Sequence, residues 1–320
     1  MKKLLALLMV LCCTSCTALP AEERAFAVTL CVEKNGDAWR IYARIPAYKA
    51  SGEYLTVQGI GRSVNAALAD LDAASPMQVT LSQLRLLVIS NDVGINDVLA
   101  ALSDNLDICQ QCLVAATDME AEAIMAALIP ETGKRLSKTL DLLIESRRER
   151  GIIPDAQLAS LLRMGERQSP VLAYAALEEG KLNLRGGWAA GNILTQDETA
   201  LLSLLMGDVK ETHLVLPEGA AHIREASAKA TYLKKENAAS VMLHMNVVES
   251  ELSASELERA IADAALLLLT RLSSNGCDVL GLGRQAMLGM HDMQQWQQLM
   301  WKDTYRQVRW EISVRVNGRT

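Results

Sequence analysis

The thiol of Cys16 is the first side chain in the sequence that could take part in covalent chemistry. It follows two small residues, Thr14 and Ser15, and an apolar run from Leu4 to Leu11 that begins after two lysines. A positive start, an apolar run and small residues are the layout of a secretory signal. Small residues before a cysteine also resemble a bacterial lipobox, in which the cysteine takes a diacylglyceryl group and becomes the first residue of the mature protein. The pattern predicts a lipoprotein signal peptide at residues 1–15 and lipid attachment at Cys16.

An ordinary signal peptide is the alternative interpretation of this stretch. A lipobox usually has leucine three positions before the modified cysteine, and Cys13 stands there instead. At roughly ten residues the apolar run is too short to remain as a membrane span, which needs about 20. If Cys16 is acylated, two or more chains would hold the protein firmly on a bilayer, because a single chain gives only marginal binding.

Cys109 and Cys112 have the spacing of a redox pair or of half a metal site. The sequence lacks the second such pair, or the paired histidines, that would complete a four-ligand zinc site. The few cysteines that follow the predicted signal are Cys16, Cys31, Cys109, Cys112 and Cys277, too few for a disulfide-built scaffold. Three alternatives stay open for the pair: a local disulfide, redox or metal chemistry, or two separate half-buried thiols.

The remaining motifs do not support a catalytic or cofactor site. Gly59-Ile60-Gly61 and Gly281-Leu282-Gly283 lack both the third glycine of a dinucleotide fingerprint and the lysine of a phosphate-binding loop. Asp278 and Asp292 could be drawn as a carboxylate pair, but acids in loops are usually solvated. The histidines form no zinc-binding motif and are scattered along the chain, at His213, His222, His244 and His291. We therefore predict no cofactor, no metal and no enzymatic activity.

Composition and charge narrow the range of partners. The chain has 320 residues, of which 50% are apolar and only 4% aromatic, so its core must be built from aliphatic side chains and methionine. Losing two lysines with the signal peptide moves the formal charge from −6 to −8. No run of Lys or Arg remains that could neutralise a row of phosphates, so nucleic acid is not an expected partner. Because acidity also opposes charge-driven binding to an anionic bilayer, membrane attachment would depend on Cys16.

Strand and helix patterns alternate through residues 16–208, which we expect to form an N-terminal α/β region of two subdomains. Phe26–Lys34 and Trp39–Ile45 flank a turn and predict a β-hairpin, and Tyr54–Gly61 predicts a short strand that its glycines break. The predicted elements that follow are a helix capped by Ser63, a strand at Leu84–Ser90, a helix at Asn91–Leu102, a strand at Cys112–Ala116, helices at Asp118–Leu128, Gly133–Arg150 and Pro154–Met164, and a hairpin of Val171–Leu177 with Lys181–Trp188.

A domain boundary is predicted near Gly207–Lys210, after a helix that begins with a capping box at Thr195 and Glu198. The last region, residues 209–320, is expected to be an α+β domain. Its predicted elements are strands at Thr212–Leu216, Ile223–Leu233 and Val241–Val248, a long helix from Ser253 or Ser255 to about Ser274, a break at Gly276–Gly283, a short helix at Met293–Trp301 and a closing strand at Gln307–Asn317. The whole chain should therefore have a mixed α/β (α+β) fold of several domains, with several small sheets packed by helices.

Three of the five tryptophans are concentrated near the C-terminus, at Trp296, Trp301 and Trp310. Large aromatic side chains at these positions are expected to pack the last helix against the last strand. The alternative is that the cluster anchors a partner, because tryptophan is common at the centre of interfaces.

Two blocks of this sequence resemble the C subunit of spore germination receptors, the Ger(x)C lipoprotein family. The first block is Gly59–Leu68, followed after a spacer by Leu84–Ser90. The second is Cys277–Gly283, followed by the C-terminal tryptophans and the closing alternating strand to Gly318. Each motif alone is degenerate, so the resemblance depends on their order and separation, with a lipobox ahead of them, over nearly the whole chain.

The resemblance implies a three-domain, non-enzymatic lipoprotein on the outer face of the cell membrane, which in the spore is the inner membrane. There it would assemble with two integral membrane subunits, A and B, to respond to nutrients such as amino acids or sugars. Whether such a subunit itself binds a small molecule is left open. The alternative function is a solute-binding lipoprotein of a transporter, which would have two lobes around a polar cleft. An envelope hydrolase would require an acid, base or nucleophile set that we do not find in the sequence.

Overall fold

The computed structural model describes residues 23–46, 54–105, 107–128, 135–164, 168–207, 211–288, 290 and 293–318. The predicted signal peptide, Cys16 and the center of the predicted domain boundary, residues 208–210, lie outside these ranges. The described residues form a two-stranded, an eight-stranded and a four-stranded sheet with helices packed on them, which confirms the predicted mixed α/β class.

The strands, numbered in chain order, are β1 (Arg24–Phe26), β2 (Thr29–Asn35), β3 (Ala38–Pro46), β4 (Tyr54–Gly61), β5 (Gln78–Thr80), β6 (Leu86–Ser90), β7 (Leu113–Thr117), β8 (Val171–Glu178), β9 (Lys181–Ala189), β10 (Asn192–Leu194), β11 (Thr212–Leu216), β12 (Gly219–Leu233), β13 (Ala238–Ser250) and β14 (Arg309–Gly318). The helices are α1 (Val64–Ala74), α2 (Ile95–Ser103), α3 (Ala121–Ala127), α4 (Leu136–Glu149), α5 (Leu158–Met164), α6 (Gln196–Met206), α7 (Ala254–Ser274), α8 (Leu282–Leu288), α9 (Met293–Leu299) and α10 (Trp301–Arg306). Both predicted hairpins are confirmed, as the antiparallel pairs β2–β3 and β8–β9.

The eight-stranded sheet has a parallel centre and antiparallel flanks. Its order is β10-β9-β8-β7-β6-β2-β3-β4, and β2, β6, β7 and β8 run parallel to one another. Helix α1 packs on one face of the sheet and α3 on the other, so the central strands are apolar on both faces. The parallel strands all begin at one end of the sheet, which we call its amino end. We call the end where they finish its carboxyl end.

Gly59 and Gly61 lie inside β4, so the prediction that they break this strand is wrong. A Cβ at Gly59 would lie 2.1 Å from the carbonyl oxygen of Ala67, and one at Gly61 would lie 2.4 Å from the Ala67 nitrogen. Only glycine allows α1 to approach the strand this closely. Ser63 caps α1 as predicted, because its Oγ accepts the N–H of Ala66 at 3.2 Å. The glycine motif is therefore a strand–helix packing site.

The four-stranded sheet, in the order β11-β12-β13-β14, packs its apolar face against α6 and α7. Leu204 of α6, Leu243 of β13 and Leu268 of α7 belong to one buried cluster. Helix α6 therefore packs with this sheet although it precedes residues 208–210 in the chain. The capping box that begins α6 is confirmed, since Thr195 Oγ1 accepts the N–H of Glu198 at 3.2 Å and the Glu198 carboxylate accepts the N–H of Thr195 at 2.9 Å.

Two helices differ from the sequence-based expectation. Helix α5 begins at Leu158 and not at Pro154, because the intervening backbone pairs with the start of β7: Val114 donates to the carbonyl of Ala156 at 2.8 Å, and Leu158 donates to that of Cys112 at 3.0 Å. Helix α8 lies at the end of the glycine-containing stretch that was expected only to end the preceding helix. Its first turn depends on a side chain in the loop before it.

Candidate functional site

The loop between α7 and α8 holds a buried carboxylate. Asp278 is only 3% exposed. Its Oδ1 accepts the N–H of Leu282 at 3.0 Å, and its Oδ2 accepts the N–H of Gly283 at 2.6 Å and the indole N–H of Trp301 at 3.1 Å. One carboxylate therefore holds the first turn of α8 and the beginning of α10 together.

The environment of Asp278 indicates a structural role. Burial raises the pKa of this carboxyl, and the hydrogen bonds from Gly283, Leu282 and Trp301 offset part of the rise. The expectation that loop acids are solvated is wrong here, because the chain folds back over the side chain. Asp292, the other member of the carboxylate pair considered from the sequence, lies outside the described residues.

Trp301 belongs to an aromatic cluster that joins the last helices to β14. Its ring centroid lies 5.1 Å from that of Tyr232, 5.5 Å from Tyr305 and 6.0 Å from Trp296, and Tyr305 lies 6.0 Å from Trp310. Tyr305 is fully buried, which raises its pKa well above the usual value, and its hydroxyl has no hydrogen-bond partner among the described residues. The packing interpretation of the C-terminal tryptophans is confirmed.

The same loop is tied to the segment that leads into β8. The Ser169 N–H donates to the carbonyl of Asp278 at 2.8 Å, and the side-chain amide of Gln168 donates to the carbonyl of Val279 at 2.9 Å. Gly281 has a φ of +68° and lies against this side chain, so that a Cβ there would lie 2.8 Å from the Gln168 Oε1. The loop, which we call the junction loop (residues 277–283), thus links the eight-stranded sheet to the C-terminal sheet and the aromatic cluster.

A second polar site lies at the carboxyl end of the eight-stranded sheet. A cleft of about 320 Å³ opens there between the first hairpin and the start of α3. The Oε2 atom of Glu33 accepts the N–H of Ala121, the first residue of α3, at 3.2 Å. The charged and aromatic side chains that line the cleft are Glu33, Lys34, Arg40, Tyr42, Glu120 and Glu122.

Tyr42 lies between two of these carboxylates. Its hydroxyl is 3.3 Å from Glu33 Oε1 and 3.4 Å from Glu122 Oε1, and it accepts a hydrogen bond from the amide of Gln58 at 3.1 Å. Because a hydroxyl has one proton, the two carboxylates compete for it. Burial, with the charges of Glu33 and Glu122, raises the pKa of Tyr42 to about 12, so the hydroxyl remains a donor at neutral pH. Cationic donors also line the cleft, since Arg40 Nη1 lies 3.9 Å from Glu33 Oε1 and Lys34 is close by.

No sequence motif marks this cleft, because its members are far apart in the chain. Glu33 and Tyr42 lie in the first hairpin, whereas Glu122 lies in α3. A signal was present in the hairpin, where Glu33 is registered opposite Arg40 and the polar Tyr42 and Arg44 follow at alternate positions. That spacing puts polar side chains on one face of strands whose other face is apolar.

The four cysteines in the described part of the chain are free thiols. Cys109 is half-buried and Cys112 is buried, and the N–H of Cys112 donates to the carbonyl of Cys109 at 3.2 Å. Burial raises the pKa of Cys112 to about 12 and that of Cys277 to about 11. Since the thiolate is the reactive and metal-binding form, these thiols are poorly suited to either chemistry. Of the three alternatives for the pair, the structure has two separate thiols.

Two of the scattered histidines meet in the fold. His213 and His222 face each other across β11 and β12 with their rings stacked at 4.3 Å, and His222 Nε2 lies 2.7 Å from a carboxylate oxygen of Glu211. Within the described ranges, no three His, Cys, Asp or Glu side chains are grouped as a metal site would require. His291 lies outside those ranges.

Cys16, the predicted lipid attachment site, lies outside the described residues, so acylation stays a prediction. Among the helices that the structure describes, none has the length and apolar character needed to cross a bilayer.

Comparison with known proteins gives a matching family model for the sequence and a similar solved structure for the fold. The model of the family described as "Spore germination protein N-terminal domain" matches residues 18–177. Among solved structures, the crystal structure of the GerBC protein is similar with a TM-score of 0.57 and 10% sequence identity, covering 91% of this chain and 97% of that one. At this identity the likeness concerns the fold alone. No curated protein sequence matches this chain.

Proposed function

The chain belongs to the Ger(x)C family of spore germination receptor C subunits, and we propose that it acts as the membrane-anchored C subunit of a nutrient germinant receptor. In this role the folded body docks with the integral membrane A and B subunits. A lipid on Cys16 holds it on the outer face of the cell membrane, which in the spore is the inner membrane.

The position of the family domain is the observation that carries the proposal. The domain begins at residue 18, so it follows Cys16 almost directly. An anchor at that position keeps the folded body at the membrane surface and raises its effective concentration beside membrane-embedded partners.

The polar sites in the described part of the chain support a role in docking and signal transmission in preference to catalysis. The oxygens of Asp278 are occupied by donors from the protein itself, and the thiols of Cys112 and Cys277 are held protonated by burial. The junction loop connects the two larger sheets through Ser169 and Gln168, and this connection is the route that we propose for transmission between them.

The Cys16→Ala variant tests the anchor, in a strain without a paralogue. We expect the variant to move from the membrane fraction to the soluble fraction and nutrient-triggered germination to fall strongly. Cys12→Ala, one position before the lipobox, is the matched control and should keep both membrane attachment and germination. If Cys16→Ala stays in the membrane fraction in the absence of the A and B subunits, the anchor assignment is wrong.

Docking is tested separately by purification from detergent-solubilised membranes. A tagged copy of this chain should retain the A and B subunits. Loss of both subunits under conditions in which they retain each other would contradict a docking role, and normal germination in a deletion strain without a paralogue would contradict the receptor role as a whole.

A solute-binding lipoprotein of a transporter is the second candidate, and the polar cleft at Glu33 and Tyr42 is the observation that favours it. This function predicts tight binding of a small nutrient by the isolated folded body, measured by calorimetry, and weaker binding after Tyr42→Phe. If a panel of amino acids and sugars produces no binding heat, this candidate is rejected and the receptor role is unaffected.

A further inference from the structure

The folded body begins at the amino end of the eight-stranded sheet. Arg24 opens β1, and the chain passes from there into β2, whose first residue is Thr29. The segment from Cys16 to Glu23 spans at most about 25 Å when fully extended. A lipid on Cys16 would therefore keep this end of the sheet close to the bilayer. The carboxyl end lies about 20 Å further away, across the length of β2.

An apolar and an aromatic side chain lie at this same end. β4 begins there, because Tyr54 is registered opposite Pro46, the last residue of β3. Leu55, the next residue, is 51% exposed. Tyrosine and an exposed aliphatic side chain are typical of the interfacial layer of a membrane, where one end of a ring is apolar and the other is hydrated.

A basic side chain and the start of a helix contact Tyr54. The Arg44 guanidinium donates to Thr56 Oγ1 at 2.7 Å and lies over the ring of Tyr54, 5.9 Å from its centroid. Helix α4 also begins here, since its first N–H, that of Leu136, donates to the Tyr54 hydroxyl at 2.6 Å.

The first turn of α4 adds positive charge to the same region. Its N-cap residue Arg135 and its third residue Lys138 are exposed, and this turn has no acidic residue to complement the positive end of the helix dipole. Glu23 contributes one negative charge nearby, and Asp141, further along α4, is already paired with Arg85 at 3.1 Å. Arg44, Arg135 and Lys138 make the region around Tyr54 positive, whereas the exposed carboxylates of Asp104 and Asp107 lie before β7 at the same end of the sheet.

The carboxyl end of the sheet differs in character. The polar cleft with Glu33, Glu120 and Glu122 lies there, next to the exposed turn at Gly36 and Asp37. An anionic bilayer would repel this end and attract the basic side chains of Arg44, Arg135 and Lys138 at the other. Charge and tether length therefore select the same orientation.

We propose that the amino-end rim, defined as Arg44, Tyr54, Leu55, Arg135 and Lys138, is the surface that rests on the bilayer. Its basic side chains contact anionic phospholipid headgroups, Leu55 and Tyr54 lie in the interfacial layer, and the polar cleft faces away from the membrane. The inference rests on the proposed function, because an anchor at Cys16 is what brings the rim to the bilayer.

The orientation can be measured without relying on acylation. A hexahistidine segment replaces residues 1–16 and tethers the chain to phosphatidylcholine–phosphatidylglycerol vesicles that carry a nickel-chelating lipid. An environment-sensitive fluorophore is attached at Leu55→Cys or, as the control at the carboxyl end, at Asp37→Cys. Both variants also carry Cys109→Ser, since the remaining native thiols are buried. Nitroxide-labelled lipid should remove most of the fluorescence at position 55 and little at position 37. Equal quenching, or stronger quenching at position 37, overturns the proposal.

Charge reversal tests the contribution of the headgroups. Arg135→Glu combined with Lys138→Glu should abolish the preferential quenching at position 55, whereas Lys181→Glu combined with Lys34→Glu, the same charge change away from the rim, should leave it intact. Vesicles of phosphatidylcholine alone should weaken the preference in the unchanged protein. If the preference survives the rim reversal, headgroup recognition by the rim is rejected. Because the tether is the histidine segment, these outcomes are independent of whether Cys16→Ala releases the natural protein.

Discussion

The two carboxylate sites of this molecule differ in how evenly their donors are distributed. At the junction loop, the carboxylate of Asp278 has donors at 2.6, 3.0 and 3.1 Å, each of them from the protein. At the cleft, Glu33 accepts the Ala121 N–H at 3.2 Å and lies 3.9 Å from Arg40 Nη1, and it shares the one proton of Tyr42 with Glu122 at 3.3 and 3.4 Å. The first site is closed and holds the fold together, whereas at the second Glu122 has only a share of that proton within the described residues and can accept a donor from outside. Asp278 lies in the recognisable Cys277–Gly283 block and has a structural role. The cleft at Tyr42 and Glu122, which can still accept a hydrogen bond, is not marked by any sequence motif.

Removing the Asp278 carboxylate should have the largest effect on the free energy of unfolding. Asp278→Ala leaves the N–H groups of Leu282 and Gly283 and the indole of Trp301 without an acceptor in a buried loop. A buried donor without a partner costs about 1–3 kcal/mol, so we expect the free energy of unfolding to fall by about 3–5 kcal/mol in urea denaturation. Asp37→Ala, at an exposed turn, is the control and should change it by less than about 0.5 kcal/mol. A loss below about 1 kcal/mol for Asp278→Ala would show that the loop is not closed in this way.

The pH dependence of the same site should be smaller and has a defined sign. Burial raises the pKa of Asp278, so the folded protein binds a proton on this group more readily than the unfolded chain does. The resulting stabilisation is fully present below the unfolded pKa of about 3.9 and is lost as the pH rises through the folded pKa. The variant Asp278→Asn cannot titrate at this position.

The free energy of unfolding of wild type minus that of Asp278→Asn should therefore increase as the pH is lowered from about 7 towards about 4, by about 1.4 kcal/mol for each unit of pKa shift. Urea denaturation of both proteins at each pH gives the difference directly. A difference that is flat or that decreases would mean that the hydrogen bonds lower the pKa of Asp278 at least as much as burial raises it.

Replacing either of two tyrosines by phenylalanine should change the free energy of unfolding, in opposite directions. Tyr305 is buried with an unpartnered hydroxyl, so Tyr305→Phe should raise the free energy of unfolding by about 1 kcal/mol. Tyr42 donates to carboxylates and accepts from Gln58, so Tyr42→Phe should lower it by about 1 kcal/mol. Urea denaturation measures both changes. If the two variants shift stability in the same direction, the assignment of donors at one of the two sites is wrong.

Local sequence patterns predicted most of the helices and strands. The errors occur where the role of a residue depends on packing against a distant part of the chain. The capping residues Ser63 and Thr195 and the alternation of β13 act within a few positions, so their consequences were visible in the sequence. Gly59 was misread as a strand breaker because its role depends on α1, which only the folded chain brings against β4. The burial of Asp278 depends in the same way on Trp301, which is distant in the chain.

The smallest effect concerns the open site, where removing one competing acceptor should cost little. Glu122→Gln relieves the competition for the Tyr42 proton, so the free energy of unfolding should change by less than about 0.5 kcal/mol. The pKa of Tyr42 should fall below its value of about 12, because Glu122 is one of the charges that raise it. The ionisation of Tyr42 is followed by tyrosinate absorbance, with Tyr42→Phe subtracted and far-UV circular dichroism confirming the folded state at each pH. Glu120→Gln, which removes a charge from the same cleft without removing a contact to Tyr42, is the matched control. If Glu122→Gln destabilises the protein as strongly as Asp278→Ala, the cleft is as closed as the junction loop and the comparison fails.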